Sequence, residues 1–206
     1  MGLGHSPSII PDGLVFYFDP INTRSYAGTG LTGFNLINTA IVGTFTNGPV
    51  YDSANKGSIN FDGVDDRISF SFNSTLDISQ SITIEAYIKP KSYPTAGGGG
   101  MILTKVISYY LEFASTGKIR VYFDGLSSPG YHESTNTVLL NKWTHVAVTR
   151  DSSNSTINIY INGILDKTAS LSNPVLTITN ENFLGRRGAP AYGAQLTGNI
   201  YLSKLY

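Results

Sequence analysis

The stretch NKWTHVAVTRDSSNSTINIYINGIL, residues 141–165, carries the clearest structural signal in the chain. It contains two runs in which apolar and polar residues alternate, the pattern of half-buried β-strands. Asn162 and Gly163 follow the second run, and this pair favours the positive φ angles of a type I′ turn. We therefore predict a hairpin over residues 156–169. Its apolar face carries Ile157, Ile159 and Ile161.

The same alternation recurs along the chain, and no segment predicts a helix. Further alternating runs lie at 14–18, 58–61, 67–72, 81–88, 109–113, 118–123 and 199–206. In the run at 81–88 the alternation predicts buried Ile82, Ile84, Ala86 and Ile88, with Thr83, Glu85 and Tyr87 turned outward. Because two half-buried sheets must cover one another, we predict an all-β fold, a two-sheet antiparallel β-sandwich.

Composition limits the function classes. The 206 residues suit one domain, 1–206, with residues 1–12 as an N-terminal arm for a partner or for an edge of its own sheet. Fourteen basic residues balance fourteen acidic ones, so we expect no nucleic-acid partner. Without cysteine there is no disulfide, thiolate zinc site or cysteine nucleophile. No apolar run predicts membrane insertion, and the first 15 residues do not resemble a signal peptide.

An acidic stretch, INFDGVDDRISF at residues 59–70, lies between two predicted strands. Asp62, Asp65 and Asp66 could supply carboxylate oxygens to calcium, although their spacing is not that of an EF-hand loop. The alternative is a tight turn in which Asp62 accepts backbone N–H groups, Gly63 takes an unusual φ, and the other two aspartates face solvent. We expect no required cofactor and leave both interpretations open.

Aperiodic segments at 91–100, 124–137 and 185–195 predict long loops, where binding residues often lie. Flat rings and multidentate donors in two of these loops could bind sugar rings, hydroxyls and carboxylates. These candidates are Tyr131, His132, Arg186, Arg187 and Tyr192. In the alternative interpretation the arginines hold the loops and Tyr131 packs locally. The four glycines at 97–100 predict a flexible spacer.

Nothing in the sequence forms a convincing catalytic set. Glycoside hydrolysis needs two carboxylates about 5 to 10 Å apart, and the run at 81–88 carries Glu85 alone. The three histidines are scattered, and we interpret His145 as structural. We interpret Trp143, the single tryptophan, as a core anchor rather than a sugar platform. We therefore predict that the protein is not an enzyme.

The order and spacing of several segments resemble the laminin-G-like jelly roll, the concanavalin A-like lectin/glucanase fold. They are GSINFDGVDDRISF at 57–70, SITIEAYIKP at 81–90, the quoted stretch at 141–165 and LTGNIYLSKLY at 196–206. The family commonly has tryptophan at the position of Tyr87, and often an acidic pair where this chain has residues 201–203. The N-terminal segments HSPSIIPDGLVFYFDP and SYAGTG resemble a subgroup in tail and other structural proteins of bacteriophages.

This resemblance implies a structural or adhesion module on a virion surface, in a tail, fibre or capsid decoration, with other virion proteins and host glycans as partners. A free-standing lectin-like module is the alternative, and a glycoside hydrolase is the third hypothesis. A structural virion protein would form fixed contacts, including a homo-oligomer, whereas a lectin would show a depression lined by tyrosine and arginine.

Overall fold

A computed structural model of the protein describes residues 11–95, 99–123, 131–170, 180–186 and 195–206. Within these ranges the chain forms sixteen strands and one short 3₁₀-helix, Ser74–Leu76. The strands are β1 (Phe16–Phe18), β2 (Thr32–Phe34), β3 (Val42–Thr46), β4 (Val50–Asp52), β5 (Ser58–Asp62), β6 (Arg67–Phe70), β7 (Ile82–Pro90), β8 (Gly99–Lys105), β9 (Tyr109–Ala114), β10 (Lys118–Phe123), β11 (Tyr131–Thr137), β12 (Thr144–Asp151), β13 (Thr156–Ile161), β14 (Ile164–Ser170), β15 (Asn182–Leu184) and β16 (Thr197–Leu205). No helix in the described part of the chain is long and apolar enough to cross a membrane.

These strands form two antiparallel sheets. Sheet A has the order β14-β13-β12-β7-β16-β5-β4, and β1 also pairs with β16. Sheet B has the order β11-β10-β9-β8-β15-β6-β3-β2. The side chains between the sheets form one apolar core that both sheets share. The predicted all-β, two-sheet antiparallel sandwich is confirmed.

The predicted hairpin at 156–169 is also confirmed, as strands β13 and β14. Asn162 and Gly163 have φ angles of 52° and 77°, as a type I′ turn requires. Ile157 and Ile159 are fully buried, and Ile161 packs against the core. In β7 the four residues predicted to be buried are at most 2% exposed. Their neighbours Thr83, Glu85 and Tyr87 are half-buried on the outer face of sheet A.

The prediction of a flexible glycine spacer is wrong for Gly99 and Gly100. Both are buried and begin strand β8. A Cβ on Gly99 would lie 2.2 Å from the carboxylate of Glu112, and one on Gly100 would lie 3.1 Å from a methyl group of Leu196. These two glycines therefore allow close packing, and only residues 96–98 of the predicted loop lie outside the described residues.

Residues 131–137 form the edge strand β11 rather than part of a loop. Most of their side chains are polar and exposed, so they lack the alternation that marks other strands. The Asp166 carboxylate on β14 joins the two sheet edges, because it accepts hydrogen bonds from the backbone N–H groups of Thr135 and Asn136. The first ten residues of the predicted arm and residues 124–130 lie outside the described residues.

Candidate functional site

Tyr131, one of the predicted ligand-binding residues, lies on the outer face of sheet B and is 45% exposed. Its ring centroid lies 4.8 Å from the guanidinium carbon of Arg120. That guanidinium donates to Glu112 at 2.8 Å and to Glu133 at 2.6 Å. Arg120 is therefore engaged by two carboxylates, which leaves it poorly placed to bind a carboxylate of a ligand.

Of the other predicted ligand-binding residues that the structure describes, neither His132 nor Arg186 lies on the same surface beside Tyr131. His132 faces the opposite side of β11, since it is the register partner of the buried Val121. Burial and the nearby charge of Lys167 lower the pKa of His132. Arg186 follows β15, four strand positions from β11, or about 19 Å at the usual strand spacing. Arg187 and Tyr192 lie outside the described residues.

The three aspartates at residues 62–66 do come together. One carboxylate oxygen from each lies within 4.8 Å of the others. Asp62 accepts from the Val64 backbone N–H at 2.8 Å, and Gly63 has a φ of 84°, as the turn interpretation predicts. Asp66 departs from that interpretation, because it is 4% exposed rather than facing solvent. Its Oδ2 accepts from the Asp62 backbone N–H at 2.9 Å.

The donor set is compatible with calcium, which binds six to eight oxygens. Asp66 Oδ1 is buried and has no hydrogen-bond partner in the described structure. Asp65 Oδ2 accepts from the amide of Asn47 at 2.9 Å, so part of the set already stabilises the turn. A bound calcium ion would be held by these three carboxylates and would offset their mutual repulsion. The calcium site stays a prediction.

Calcium is expected to raise the thermal stability of the protein through Asp66. Burial, with the charges of Asp62 and Asp65, raises the pKa of Asp66. In the absence of a cation, the contribution of Asp66 to stability is therefore present below its unfolded-state pKa of about 4. This contribution is lost as the pH rises through the higher folded-state pKa of Asp66. At neutral pH a saturating cation at a hundredfold excess over Kd would add about 2.7 kcal/mol. The measurement is thermal unfolding with EDTA and with millimolar calcium.

The Asp66→Asn variant serves as the matched control, because its amide oxygen can still accept from the Asp62 backbone. In EDTA at pH 7 we expect this variant to be at least as stable as the wild-type protein, and in calcium to lose the shift. The Asp62→Asn, Asp65→Asn double variant should lose the shift as well. A wild-type melting temperature that calcium leaves unchanged would leave the turn as the whole role of this cluster.

A second candidate site, on the outer face of sheet A, contains Trp143. The prediction that this residue is a core anchor is wrong. Trp143 is only half-buried and stacks on Tyr87, with ring centroids 5.4 Å apart and planes 5° from parallel. Tyr201 lies edge-on to both rings, at 5.9 Å from Tyr87 and 6.2 Å from Trp143. We call these three residues the aromatic cluster.

Three elements place the aromatic cluster. Tyr87 lies on β7, and Trp143 directly precedes the neighbouring strand β12. On the other side of β7, strand β16 has a bulge between Ile200 and Leu202, and Tyr201 is its extra residue. Such bulges redirect side chains, and here the bulge allows Tyr201 to contact both other rings. Trp143 also lines a depression of about 210 Å³ with Leu139 and other residues.

Three charged and polar side chains adjoin the aromatic cluster: His145 is the register partner of Tyr87, and Lys204 is the register partner of Glu85, two residues before Tyr87 on β7. His145 Nε2 donates to Glu85 Oε1 at 3.1 Å, and Lys204 Nζ donates to the same oxygen at 3.2 Å. The hydrogen bond from His145 lowers the pKa of Glu85, and Lys204 adds to it, against the opposing effect of burial. We call these three residues the charged row. It presents a fixed carboxylate between two hydrogen-bond donors.

The alternation alone could have placed part of this site. Val146 and Val148 are fully buried, so a period of two puts His145 and Trp143 on the outer face. Trp143 was nevertheless predicted to lie in the core, because tryptophan is a large, mostly apolar residue. Tyr201 could not be placed in this way, because a bulge changes the period without a sequence signal of its own.

A family model described as "Concanavalin A-like lectin/glucanases superfamily" matches residues 62–206. The chain belongs to this superfamily. Within the matched range, Tyr87 and Tyr201 of this concanavalin A-like domain both contact Trp143.

Solved structures agree on the fold. Domain 4 of an extracellular arabinanase from Geobacillus stearothermophilus, in complex with arabinotriose, is 20% identical with a TM-score of 0.64, covering 94% of this chain and 91% of that domain. The binding domain of Paraclostridial Mosquitocidal Protein 1 is 13% identical with a TM-score of 0.72, covering 95% of this chain and 49% of the toxin domain. A Trypanosoma rangeli sialidase in complex with sialic acid is 13% identical with a TM-score of 0.67, covering 95% of this chain and 31% of the sialidase.

The concanavalin A-like chain therefore spans about a third of the sialidase and half of the toxin domain. At these identities the likeness establishes the shared fold. No curated protein sequence matches the chain significantly.

Proposed function

We propose that the protein is a non-enzymatic glycan-binding module, and that its ligand lies on the aromatic cluster and the charged row. The observation that carries this proposal is their juxtaposition on the outer face of sheet A. Aromatic rings that are half-exposed at Trp143, Tyr87 and Tyr201 adjoin a carboxylate, an imidazole and an ammonium group. The arabinotriose complex of the arabinanase domain supports a sugar ligand for this fold.

The chemistry of the two groups suits a saccharide. The C–H faces of a sugar ring can pack on aromatic rings, while its hydroxyl groups both donate and accept hydrogen bonds. Glu85 accepts and Lys204 donates within the charged row. The Tyr201 hydroxyl can also donate, and burial, reinforced by Asp19 and Tyr87, raises the pKa of Tyr201 above its ordinary value. The half-buried packing of these side chains holds them in place before a ligand arrives, which lowers the entropy cost of binding.

The carboxylates that the structure brings together support a glycoside hydrolase less well than a glycan-binding module. Glu112 on β9 and Glu133 on β11 lie on either side of Arg120 on β10. The sequence did not predict that these two carboxylates come together. Glycoside hydrolysis needs one carboxyl group that is protonated at the working pH. Arg120 is hydrogen-bonded to both carboxylates and forms an ion pair with each of them. We therefore interpret this trio as an ion-pair network of sheet B.

The setting that we propose is the surface of a bacteriophage particle, where the module would adhere to host glycans and contact other virion proteins. The N-terminal segments that resemble phage structural proteins support this setting. A homo-oligomer would add avidity, since linked sites bind a multivalent surface more tightly than single sites do. Detection of the protein in purified particles by mass spectrometry tests the setting separately from glycan binding.

Replacing Trp143 with alanine is expected to weaken glycan binding at least tenfold. The substitution removes the ring that stacks on Tyr87 and one wall of the adjacent depression. A contact worth about 1.4 kcal/mol or more corresponds to that change in Kd. A glycan array identifies a ligand, and titration calorimetry then gives Kd for the wild-type protein and the variant.

Tyr131→Ala on sheet B is the matched control, because it also removes an exposed aromatic ring. We expect this variant to bind as the wild-type protein does. Loss of affinity in Tyr131→Ala, with Trp143→Ala unaffected, would move the site to sheet B. Thermal unfolding of both variants checks that each remains folded.

A further inference from the structure

We infer that the ligand is an anionic glycan, whose carboxylate or sulfate group is bound by Lys89 and Lys91 beside the aromatic cluster. This inference rests on the proposed glycan-binding function and specifies the ligand class of the same site. It arises from the order of the side chains along β7 and from the hydrogen-bond partners of the two lysines.

Strand β7 carries a gradient of charge on its outer face. Glu85, Tyr87 and Lys89 alternate with the buried residues of this strand and therefore project from the same face of sheet A. Lys91 follows the strand directly, and its backbone N–H still donates to Thr197 of β16. At about 3.3 Å per residue, Lys89 lies about 7 Å from Tyr87 along the strand and about 13 Å from Glu85.

The two lysines are bonded to neutral groups. Lys89 Nζ donates to the amide oxygen of Asn55 at 2.7 Å, and Lys91 Nζ donates to the amide oxygen of Asn60. Among the residues that the structure describes, no carboxylate lies within 4 Å of either ammonium group. Lys204 and Lys105, by contrast, each form an ion pair. Neither ammonium group is thus in direct contact with a carboxylate of the described residues.

Asp52 is an acidic group on which the charge of Lys91 acts, but its carboxylate is hydrogen-bonded to other side chains. Its carboxylate accepts hydrogen bonds from Asn55 at 2.6 Å and from Asn199 at 3.1 Å. Burial opposes the charged form, but these hydrogen bonds and the charge of Lys91 lower the pKa of Asp52 overall. With Asp52 counted as negative, the two lysines leave a net charge of +1 in this group. An anionic ligand group would complete the charge balance.

This distribution also orients the ligand. An anionic group at the Glu85 end would face a carboxylate, whereas at the other end it would meet two ammonium groups with hydrogens to donate. A sugar ring on the aromatic cluster can direct a carboxylate or sulfate substituent toward Lys89, because Lys89 lies about 7 Å from Tyr87 along β7. We therefore expect the neutral, hydroxyl-rich end of the ligand to face the charged row.

The experiment compares matched glycan pairs that differ only by a sialic acid, a uronic acid or a sulfate group. For the wild-type protein we expect the anionic member to bind at least tenfold more tightly than the neutral member, with a preference that falls as salt rises. The Lys89→Gln, Lys91→Gln double variant should lose this preference and retain the affinity for the neutral member. Comparison of the pairs that carry sialic acid, uronic acid or sulfate identifies the anionic group that is bound.

Lys118→Gln, on β10 of the other sheet, is the control for a general loss of positive charge, and it should keep the preference. Equal binding of the anionic and neutral members would overturn this inference and leave the proposed function intact. A failure to bind any member of the pairs would instead overturn the proposed function. A preference that survives in the double variant would place the anion at other residues and overturn the assignment to Lys89 and Lys91.

Discussion

Lys105→Ala is expected to lower the free energy of unfolding by about 3 kcal/mol. Lys105 is fully buried on β8, and its ammonium group lies 2.7 Å from Asp77 Oδ1. It also donates to the backbone carbonyl of Asn180 at 3.0 Å, and it lies 5.2 Å from the ring centroid of Phe72. The substitution leaves the Asp77 carboxylate without its cation and the Asn180 carbonyl without its donor. It also leaves a cavity where the aliphatic stem was packed.

Two further variants separate the charge from the packing. Lys105→Met keeps most of the volume, so its cost reports mainly on the lost ion pair and hydrogen bond. The Lys105→Met, Asp77→Asn double variant removes both charges, and we expect it to recover part of the stability lost in Lys105→Met. Chemical denaturation gives the free energies. A cost below about 1 kcal/mol for Lys105→Ala would show that the cation contributes little to the fold.

Local patterns were sufficient wherever neighbouring residues decide the structure. The β13–β14 hairpin depends on alternation and on Asn162 and Gly163, which have positive φ angles. The backbone N–H of Val64 bonds to Asp62 within the same turn, so that contact could also be predicted. In both cases the decisive interaction spans only a few residues. The two-sheet sandwich then follows, because each strand has one apolar face to cover.

Contacts between distant residues could not be predicted. Gly99 and Gly100 suggested a loop in the sequence, yet each is buried against a side chain that is distant in the sequence. Burial of Asp66 depends on its environment in the folded protein, which an acidic, polar stretch does not reveal.

The candidate sites show the same division. Tyr131 is exposed, but Arg120 beneath it is neutralised by glutamates from two neighbouring strands. The aromatic cluster depends on the order of strands β12, β7 and β16 in sheet A, and no two of these strands are consecutive in the chain. Residue types were therefore informative about chemistry, whereas the grouping of those residues required the topology.

Gly185→Ala is expected to destabilise the protein by about 3 kcal/mol or more, from a backbone cost and a packing cost together. Gly185 has a φ of 83°, and an added Cβ would lie 2.1 Å from a ring carbon of Phe61. Phe61 belongs to sheet A and is 1% exposed, so its ring cannot move aside without disturbing the core. For a domain of this size the melting temperature should fall by about 6 to 12 °C.

Gly30→Ala provides the control for the backbone cost. Gly30 has nearly the same φ, 84°, but an added Cβ there would have no atom within 4 Å. We expect this variant to lose only the cost of the left-handed conformation, about 1 to 2 kcal/mol. The difference between the two variants then measures how firmly Phe61 is held between the sheets. Equal losses of stability in the two variants would mean that the Phe61 ring shifts freely. The close contact between Gly185 and Phe61 would then not hold sheet B against sheet A.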